Sequence, residues 1–135
     1  MTTLQTSATL PAATQAVVLF AHGSRDPLWA GPIEAVATAI RESRPDLEVT
    51  CAYLELTQPD LATVVGKLAA QGLQRLCIVP MFLGVGRHAR DDLPQLLTVL
   101  GRQHPQLQLQ LQPAVGENPR IVAALAGAVV ASIDA

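Results

Sequence analysis

Residues 15–21 read QAVVLFA, and the next three residues are His22, Gly23 and Ser24. Apolar side chains occupy both alternating sets of positions in this run, which is typical of a central parallel strand buried on both faces. Three more strands are predicted along the chain, and helices are predicted between and after them. The strands lie at residues 48–56, 75–81 and 106–112, and the helices at 28–43, 59–71, 91–103 and 120–132.

Strands that alternate with helices indicate right-handed βαβ units and a parallel sheet covered by helices. We therefore predict an α/β fold, a flavodoxin-like three-layer sandwich around a four-stranded parallel sheet in the order 2-1-3-4. Strand four alternates Gln and Leu, so it is predicted to lie at an edge with its leucines facing the core. Residues 15–135 form one predicted domain, and residues 1–14 are predicted to be a disordered tail that lacks the features of a signal peptide.

Local signals mark several helix ends. Pro32 falls near the start of the first helix, where its missing N–H is tolerated, although it favours a later start. Pro59 is predicted at the first position of the second helix. Asp91 and Asp92 are predicted in the first turn of the third helix, where they are more typical of caps than of catalytic groups.

Composition excludes several classes of function. A net charge of −2 and only four aromatic residues give neither the basic field nor the stacking platforms of a nucleic-acid-binding protein. Neither a P-loop nor a GxGxxG fingerprint is present, so no nucleotide is expected. Cys51 and Cys77 read as buried thiols in strands, which suits a reducing cytoplasm. The apolar run 121–133 is too short to span a bilayer.

Two histidines follow the two strands that the predicted order places side by side. His22 follows strand one, and His88 follows strand three. Ligands of open α/β sheets bind beyond the carboxyl ends of the strands, where strand order reverses. Imidazole is a common ligand of divalent metals and accepts protons near neutral pH. The pair therefore indicates metal or acid–base chemistry, and the alternative for His22 is a buried, hydrogen-bonded turn residue. His104 reads as a helix-end residue.

Charged residues near these histidines are further candidates. Glu55 ends strand two among apolar neighbours, so its carboxylate either faces a site or lies in water. Arg25, Arg87 and Arg90 flank the histidines and either bind an anionic ligand or are solvated loop charges. Two imidazoles and one carboxylate would suit a divalent transition metal and leave coordination positions open.

The fourth predicted helix, residues 120–132, is apolar nearly all round. Such a helix must be covered on more than one side. It is either tightly packed in the core of its own chain or part of a self-association surface.

Four segments taken together resemble the small sirohydrochlorin chelatases of the CbiX type: FAHGSRDP at 20–27, YLELTQP at 53–59, VPMFL at 79–83 and GRHARDDLP at 86–94. The resemblance covers residues 15–133 and implies the chelatase fold. It implies ATP-independent insertion of Co²⁺ or Fe²⁺, with Ni²⁺ used by a relative, into sirohydrochlorin on the way to cobalamin or sirohaem. It also implies a homodimer, because single-lobe members pair.

The same resemblance implies roles for individual residues. His22 and His88 correspond to the two metal-site histidines, and Glu55 corresponds to an acidic residue of some members that would act as a further ligand or proton acceptor. Ser24, Arg25, Arg87 and Arg90 are implied contacts to the carboxylates of the tetrapyrrole.

Two other functions remain to be weighed against insertion. A metal-delivery protein would use the same histidines without acting on a tetrapyrrole. A histidine phosphatase would need an arginine directly before its histidine, and Ala21 occupies that position here.

Overall fold

The computed structural model describes residues 14–135 apart from the side chain of His88. The predicted tail therefore lies outside the described residues except for Thr14, whose carbonyl accepts hydrogen bonds from the N–H groups of Gln74 and Arg75. The elements alternate as predicted: β1 Gln15–Ala21, α1 Gly31–Ser43, β2 Glu48–Tyr53, α2 Leu61–Ala70, β3 Arg75–Pro80, α3 Arg87–Gln103, β4 Gln108–Leu111, a 3₁₀ turn Val115–Glu117 and α4 Pro119–Asp134.

The four strands form one parallel sheet in the order β2-β1-β3-β4, which confirms the predicted topology. β1 is central because it buries side chains on both faces. Val18 and Phe20 belong to the core under α2 and α3, and Leu19 and Ala21 belong to the core under α1. The loops after β1 and β3 consequently emerge side by side at the carboxyl edge of the sheet.

The two faces of the sheet are covered unequally. The core under α2 and α3 is the larger, and it extends from Ala16 to Ala114 in the chain. The core under α1 is smaller and is centred on β1 and β2, with Leu19 and Val49 packed against Ala37. β4 is an edge strand, as predicted, with Gln108 and Gln110 exposed and its leucines turned to the larger core.

Three helices begin two or more residues away from their predicted starts. α1 begins at Gly31 because residues 27–30 form a turn before Pro32, which is consistent with the later start that this proline favours. α2 begins after Asp60, whose carboxylate accepts a hydrogen bond from the Thr63 N–H, so Pro59 precedes the helix and does not open it.

α3 begins at Arg87, four residues before its predicted start, with Gly86 in an extended conformation as its N-cap. Asp91 and Asp92 therefore lie in the second turn, and the prediction that they cap the helix is wrong. Pro94 lies inside the helix, and its ring nitrogen has no hydrogen to donate.

The structure contradicts one of the two alternatives predicted for α4, a helix packed in the core. None of its residues is buried, so it does not occupy the core of its own chain. Its large apolar side chains are exposed, for example Val122 at 54% and Ile133 at 75%. No helix within residues 14–135 has both the length and the apolar content of a membrane-spanning segment.

Candidate functional site

Three loops are tied together by backbone hydrogen bonds at the carboxyl edge of the sheet. Leu54 N–H donates to Ala21 C=O at 2.8 Å, and Glu55 N–H donates to His22 C=O at 3.0 Å. Met81 N–H donates to Phe20 C=O at 2.7 Å. The loops after β1, β2 and β3 are therefore held at fixed positions relative to one another.

The loop after β1 is also locked to the loop after β2 by a side chain. The Thr57 hydroxyl donates to Ser24 C=O and accepts from Ser24 N–H, both at 2.9 Å. Gly23 lies at φ +99°, and a Cβ there would stand 1.7 Å from the carbonyl oxygen of Glu55. Only glycine permits this close approach of the two backbones.

His22 lies on this platform with one face of its ring against Phe82. The ring centroids are 4.3 Å apart and the planes are tilted by 34°. Phe82 is 3% exposed and contacts Phe20 edge-on, so it forms a rigid support from the core. His22 itself is exposed, so its imidazole is accessible to a metal or a ligand while the contact with Phe82 limits its orientation.

His88 lies in the first turn of α3, and its side chain lies outside the described part of the chain. A helix that follows a parallel strand runs antiparallel to it, so the first turn of α3 is at the carboxyl edge of the sheet. The backbone of His88 is therefore at the same edge as His22.

Glu55 was predicted to lie at the end of β2. The strand ends at Tyr53, and Glu55 lies in the bend that follows it. It is exposed, so its carboxylate is solvated, as in the second of the two predicted alternatives. Among the described residues, no three His, Cys, Asp or Glu side chains form a ready-made metal site.

The other predicted contacts line the same edge. Arg25, Arg87 and Arg90 are exposed. The Arg90 guanidinium donates to Val85 C=O at 3.3 Å, which directs it back over the loop after β3. The Ser24 hydroxyl oxygen accepts from Asp26 N–H at 3.1 Å, so it also shapes its own loop.

Sequence reasoning missed an apolar rim at this edge. Four leucines in the loops after β1, β2 and β3 are exposed, and they are Leu28 at 82%, Leu54 at 49%, Leu56 at 56% and Leu83 at 70%. Exposed leucines concentrated at one edge mark a surface for an apolar ligand or partner. Their signal in the sequence is leucine persisting past each strand, among glycine, proline and polar residues.

A cleft of about 300 Å³ lies next to this edge, on the side of β4. Its lining is mostly apolar, with Phe82 at the base and Arg90 and Glu117 as its charged residues. An apolar lining with a few charged groups is typical of a small-molecule site.

On the opposite face of the sheet, the end of β2 is buried under α1. The Tyr53 hydroxyl donates to Glu34 Oε1 at 3.1 Å, and burial raises the pKa of Tyr53. Burial also raises the pKa of Cys51 to about 11. These groups remain protonated near neutral pH and serve the packing of the α1 layer.

The chain is similar to known proteins of one family. A family model described as CbiX matches residues 16–131. The chain is 34% identical over 86 residues to the sirohydrochlorin cobaltochelatase of Methanococcus aeolicus, and this match covers 64% of the chain and 60% of that relative. The sirohydrochlorin ferrochelatase of Priestia megaterium is 31% identical over 110 residues, covering 79% of the chain and 40% of the relative.

Among solved structures, a putative cobalamin biosynthesis CbiX protein from Marinobacter aquaeolei matches with a TM-score of 0.79 and 33% identity. That match covers 89% of this chain and 98% of the other. The chain spans about 60% of the length of the curated cobaltochelatase that it matches.

Proposed function

This chain belongs to the CbiX family, and from that premise we propose that it inserts a divalent metal, Co²⁺ or Fe²⁺, into sirohydrochlorin without a nucleotide. One observation carries the proposal: His22 is exposed, supported on one face by Phe82, and it lies at a sheet edge bordered by exposed leucines. A macrocycle with an apolar ring and charged substituents fits such an edge. Relatives are named for both cobalt and iron insertion, so both metals are proposed as substrates.

The reaction exchanges two protons for one cation. The metal dication enters the ring, and two pyrrole N–H groups lose their protons as the metal–nitrogen bonds form. We propose that His22 and His88 hold the incoming metal through a ring nitrogen, and that this nitrogen accepts a pyrrole proton once the metal has passed to the ring. Glu55, solvated and joined to His22 through the backbone, is the proposed further ligand or proton acceptor.

Charged side chains would orient the ring. Guanidinium groups bind carboxylates by charge-assisted hydrogen bonds, so Arg25, Arg87 and Arg90 are proposed to contact the ring substituents. Ser24, in the loop locked by Thr57, is proposed to contribute a further polar contact.

The proposed assembly is a homodimer, since the site lies on an open edge and α4 exposes apolar surface. The proposed compartment is the cytoplasm, because both cysteines are free thiols. A net charge of −2 gives no basis for a nucleic-acid partner.

The test is anaerobic absorbance of sirohydrochlorin mixed with Co²⁺ or Fe²⁺, with and without the protein. We expect the wild type to accelerate the spectral conversion and the double variant His22→Ala/His88→Ala to lose the acceleration. His104→Ala is the matched control, because His104 is the C-cap of α3, at the opposite end of that helix from His88, and this variant should keep full activity.

Two results would change the assignment. Conversion by the double variant at the wild-type rate would overturn the proposed site. A wild type that binds metal through His22 and His88 yet leaves the conversion rate unchanged would be a metal-delivery protein.

A further inference from the structure

The cleft beside α3 has walls that are fixed by contacts with the sheet. α3 forms one wall, and the segment that follows β4 forms the other. Gln112 N–H donates to Ile78 C=O at 2.9 Å, and Gly116 N–H donates to Phe82 C=O at 3.0 Å. Ala114, between these two anchors, is buried. The cleft is therefore built into the fold.

Phe82 joins this cleft to the histidine of the candidate site. Its ring lies against the imidazole of His22, and Phe82 also lines the cleft. A ligand in the cleft consequently lies next to the imidazole that is proposed to hold the metal. The cleft volume of about 300 Å³ is at the lower limit of small-molecule sites, which range from about 300 to 1,000 Å³. The cleft therefore has room for one edge of a macrocycle and not for the whole ring.

The cleft contains two opposite charges that do not neutralise each other. Arg90 and Glu117 both line it, yet no ion pair joins their side chains. The Arg90 guanidinium donates a hydrogen bond to Val85 C=O at 3.3 Å. This bond uses one of the five N–H groups of a guanidinium. Arg90 therefore has donors available for an anionic ligand in the cleft.

We propose that the cleft binds one carboxylate arm of the macrocycle together with the ring edge that carries it. The carboxylate of the arm receives charge-assisted hydrogen bonds from Arg90, and the ring edge packs on Phe82 and Leu93. Glu117 repels a second carboxylate, so one arm enters and its neighbour stays in solvent. This inference deepens the proposed function and rests on it, because it names the part of the substrate that orients the ring over His22.

A small acid tests the cleft without metal or tetrapyrrole. 3-Phenylpropionate has an aromatic ring and one carboxylate arm, and 3-phenylpropanol has a hydroxyl group in place of the carboxylate. In an NMR titration, we expect the acid to shift the amide signals of Ala114 and Glu117 and not that of Gly72, at the opposite edge of the sheet. The wild type should bind the acid at least fivefold more tightly than the alcohol. Absence of these shifts at saturating acid would overturn the inference.

Two substitutions separate the charge of the cleft from its shape. Arg90→Ala should weaken binding of the acid at least fivefold and leave binding of the alcohol unchanged, since only the acid pairs with the guanidinium. Ala89→Phe should prevent binding of both, because Ala89 lines the cleft and a larger side chain there fills it. The matched controls are Arg102→Ala and Gln95→Phe at exposed positions of the same helix, and both should bind the acid as the wild type does.

The role of Glu117 is tested with a second acid. 1,2-Phenylenediacetate carries two carboxylate arms on neighbouring ring atoms, and the wild type should bind it at least fivefold more weakly than 3-phenylpropionate. Glu117→Gln keeps the size of the side chain and removes its charge, so this variant should bind the two acids with affinities within about twofold of each other. Equal affinities in the wild type would overturn the exclusion of a second arm.

Metal-free sirohydrochlorin identifies the occupant. Trp29 is the only tryptophan of the chain, so quenching of its fluorescence reports binding. We expect Arg90→Ala and Ala89→Phe to raise the Kd for sirohydrochlorin at least fivefold, and Gln95→Phe to leave it unchanged. An unchanged Kd in Ala89→Phe would overturn the inference, even if the small acid binds in the cleft. Sirohydrochlorin binding that depends on the cleft, without metal insertion by the wild type, would overturn the proposed function and leave the binding of the arm intact.

Discussion

Glu55 N–H donates to the carbonyl oxygen of His22 at 3.0 Å, and this bond joins the two loops that carry the proposed metal ligand and the proposed proton acceptor. Together with the bond from Leu54 to Ala21, it continues the β1–β2 ladder past the last paired residues of the strands. The relative position of the two loops therefore depends on the sheet and on the residues that let the backbones approach.

Gly23 is the residue that permits this approach. We expect Gly23→Ala to lower the free energy of unfolding by about 3 kcal/mol, because it adds a positive-φ penalty and a steric clash with the Glu55 carbonyl. Gly72→Ala is the control, since Gly72 has φ +86° and open space around its Cβ position, and it should cost only about 1 kcal/mol. Urea unfolding measures both, and equal losses would show that the clash at Gly23 is relieved.

Thr57 acts as a positioning residue for the same loops. Thr57→Val keeps the shape but removes both hydrogen bonds to Ser24, at a cost of about 1–3 kcal/mol in stability. Without these hydrogen bonds the loop that carries His22 is less firmly positioned. We therefore expect the kcat/KM for metal insertion to fall about tenfold, which is equivalent to a rise of about 1.4 kcal/mol in the activation free energy. Thr57→Ser should restore most of it. A serine variant as impaired as the valine variant would mean that the methyl group, and not the hydroxyl, positions the loop.

The sheet order could be predicted because the sequence encodes which strands are central. The apolar residues of β1 on both alternating sets indicated two buried faces, and the Gln–Leu alternation of β4 indicated an edge. The start of α3 could not be predicted, because its cap is Gly86, which has no capping side chain, while Asp91 and Asp92 imitate a first turn. The exposure of α4 could not be predicted either, because an apolar helix has the same sequence pattern in a core and at an interface.

The positions of the polar side chains of the candidate site could be predicted, whereas the residues that support them could not. His22 and Glu55 could be placed at one edge because both follow neighbouring strands. Phe82 and Thr57 were missed because an apolar or hydroxyl residue near a strand end has no distinctive pattern. Their roles arise from contacts between segments far apart in the chain, such as the pair Ser24 and Thr57, 33 residues apart.

The buried thiol of Cys51 predicts an alkaline loss of stability. Burial, assisted by the charge of Glu34, raises the pKa of Cys51 from 9.0 to about 11. As the pH rises, the Cys51 thiol therefore ionises in the unfolded chain before it does so in the folded one. The stability that the protonated thiol contributes to the folded state is complete below pH 9 and is lost as the pH approaches 11. Urea unfolding across this range should show a steeper decline for the wild type than for Cys51→Ala. The difference measured below pH 9 gives the packing cost of the substitution, and parallel declines would contradict the role of this thiol.

Phe82 should influence metal binding through the ring of His22. Phe82→Leu conserves most of the buried volume, so stability should fall by less than about 1.5 kcal/mol. The stacked contact at 4.3 Å is lost, however, and the imidazole gains rotational freedom. An aromatic pair contributes about 0.5–1.5 kcal/mol beyond the effect of the surface area that it buries, which corresponds to a two- to tenfold rise in the Kd for Co²⁺.

Phe20→Leu is the matched control, because Phe20 packs on Phe82 at 6.0 Å between ring centroids and is buried in the same core. Titration calorimetry with Co²⁺ distinguishes the two: an equal rise in Kd for both variants would mean that core packing, and not the face of Phe82 under His22, sets the affinity.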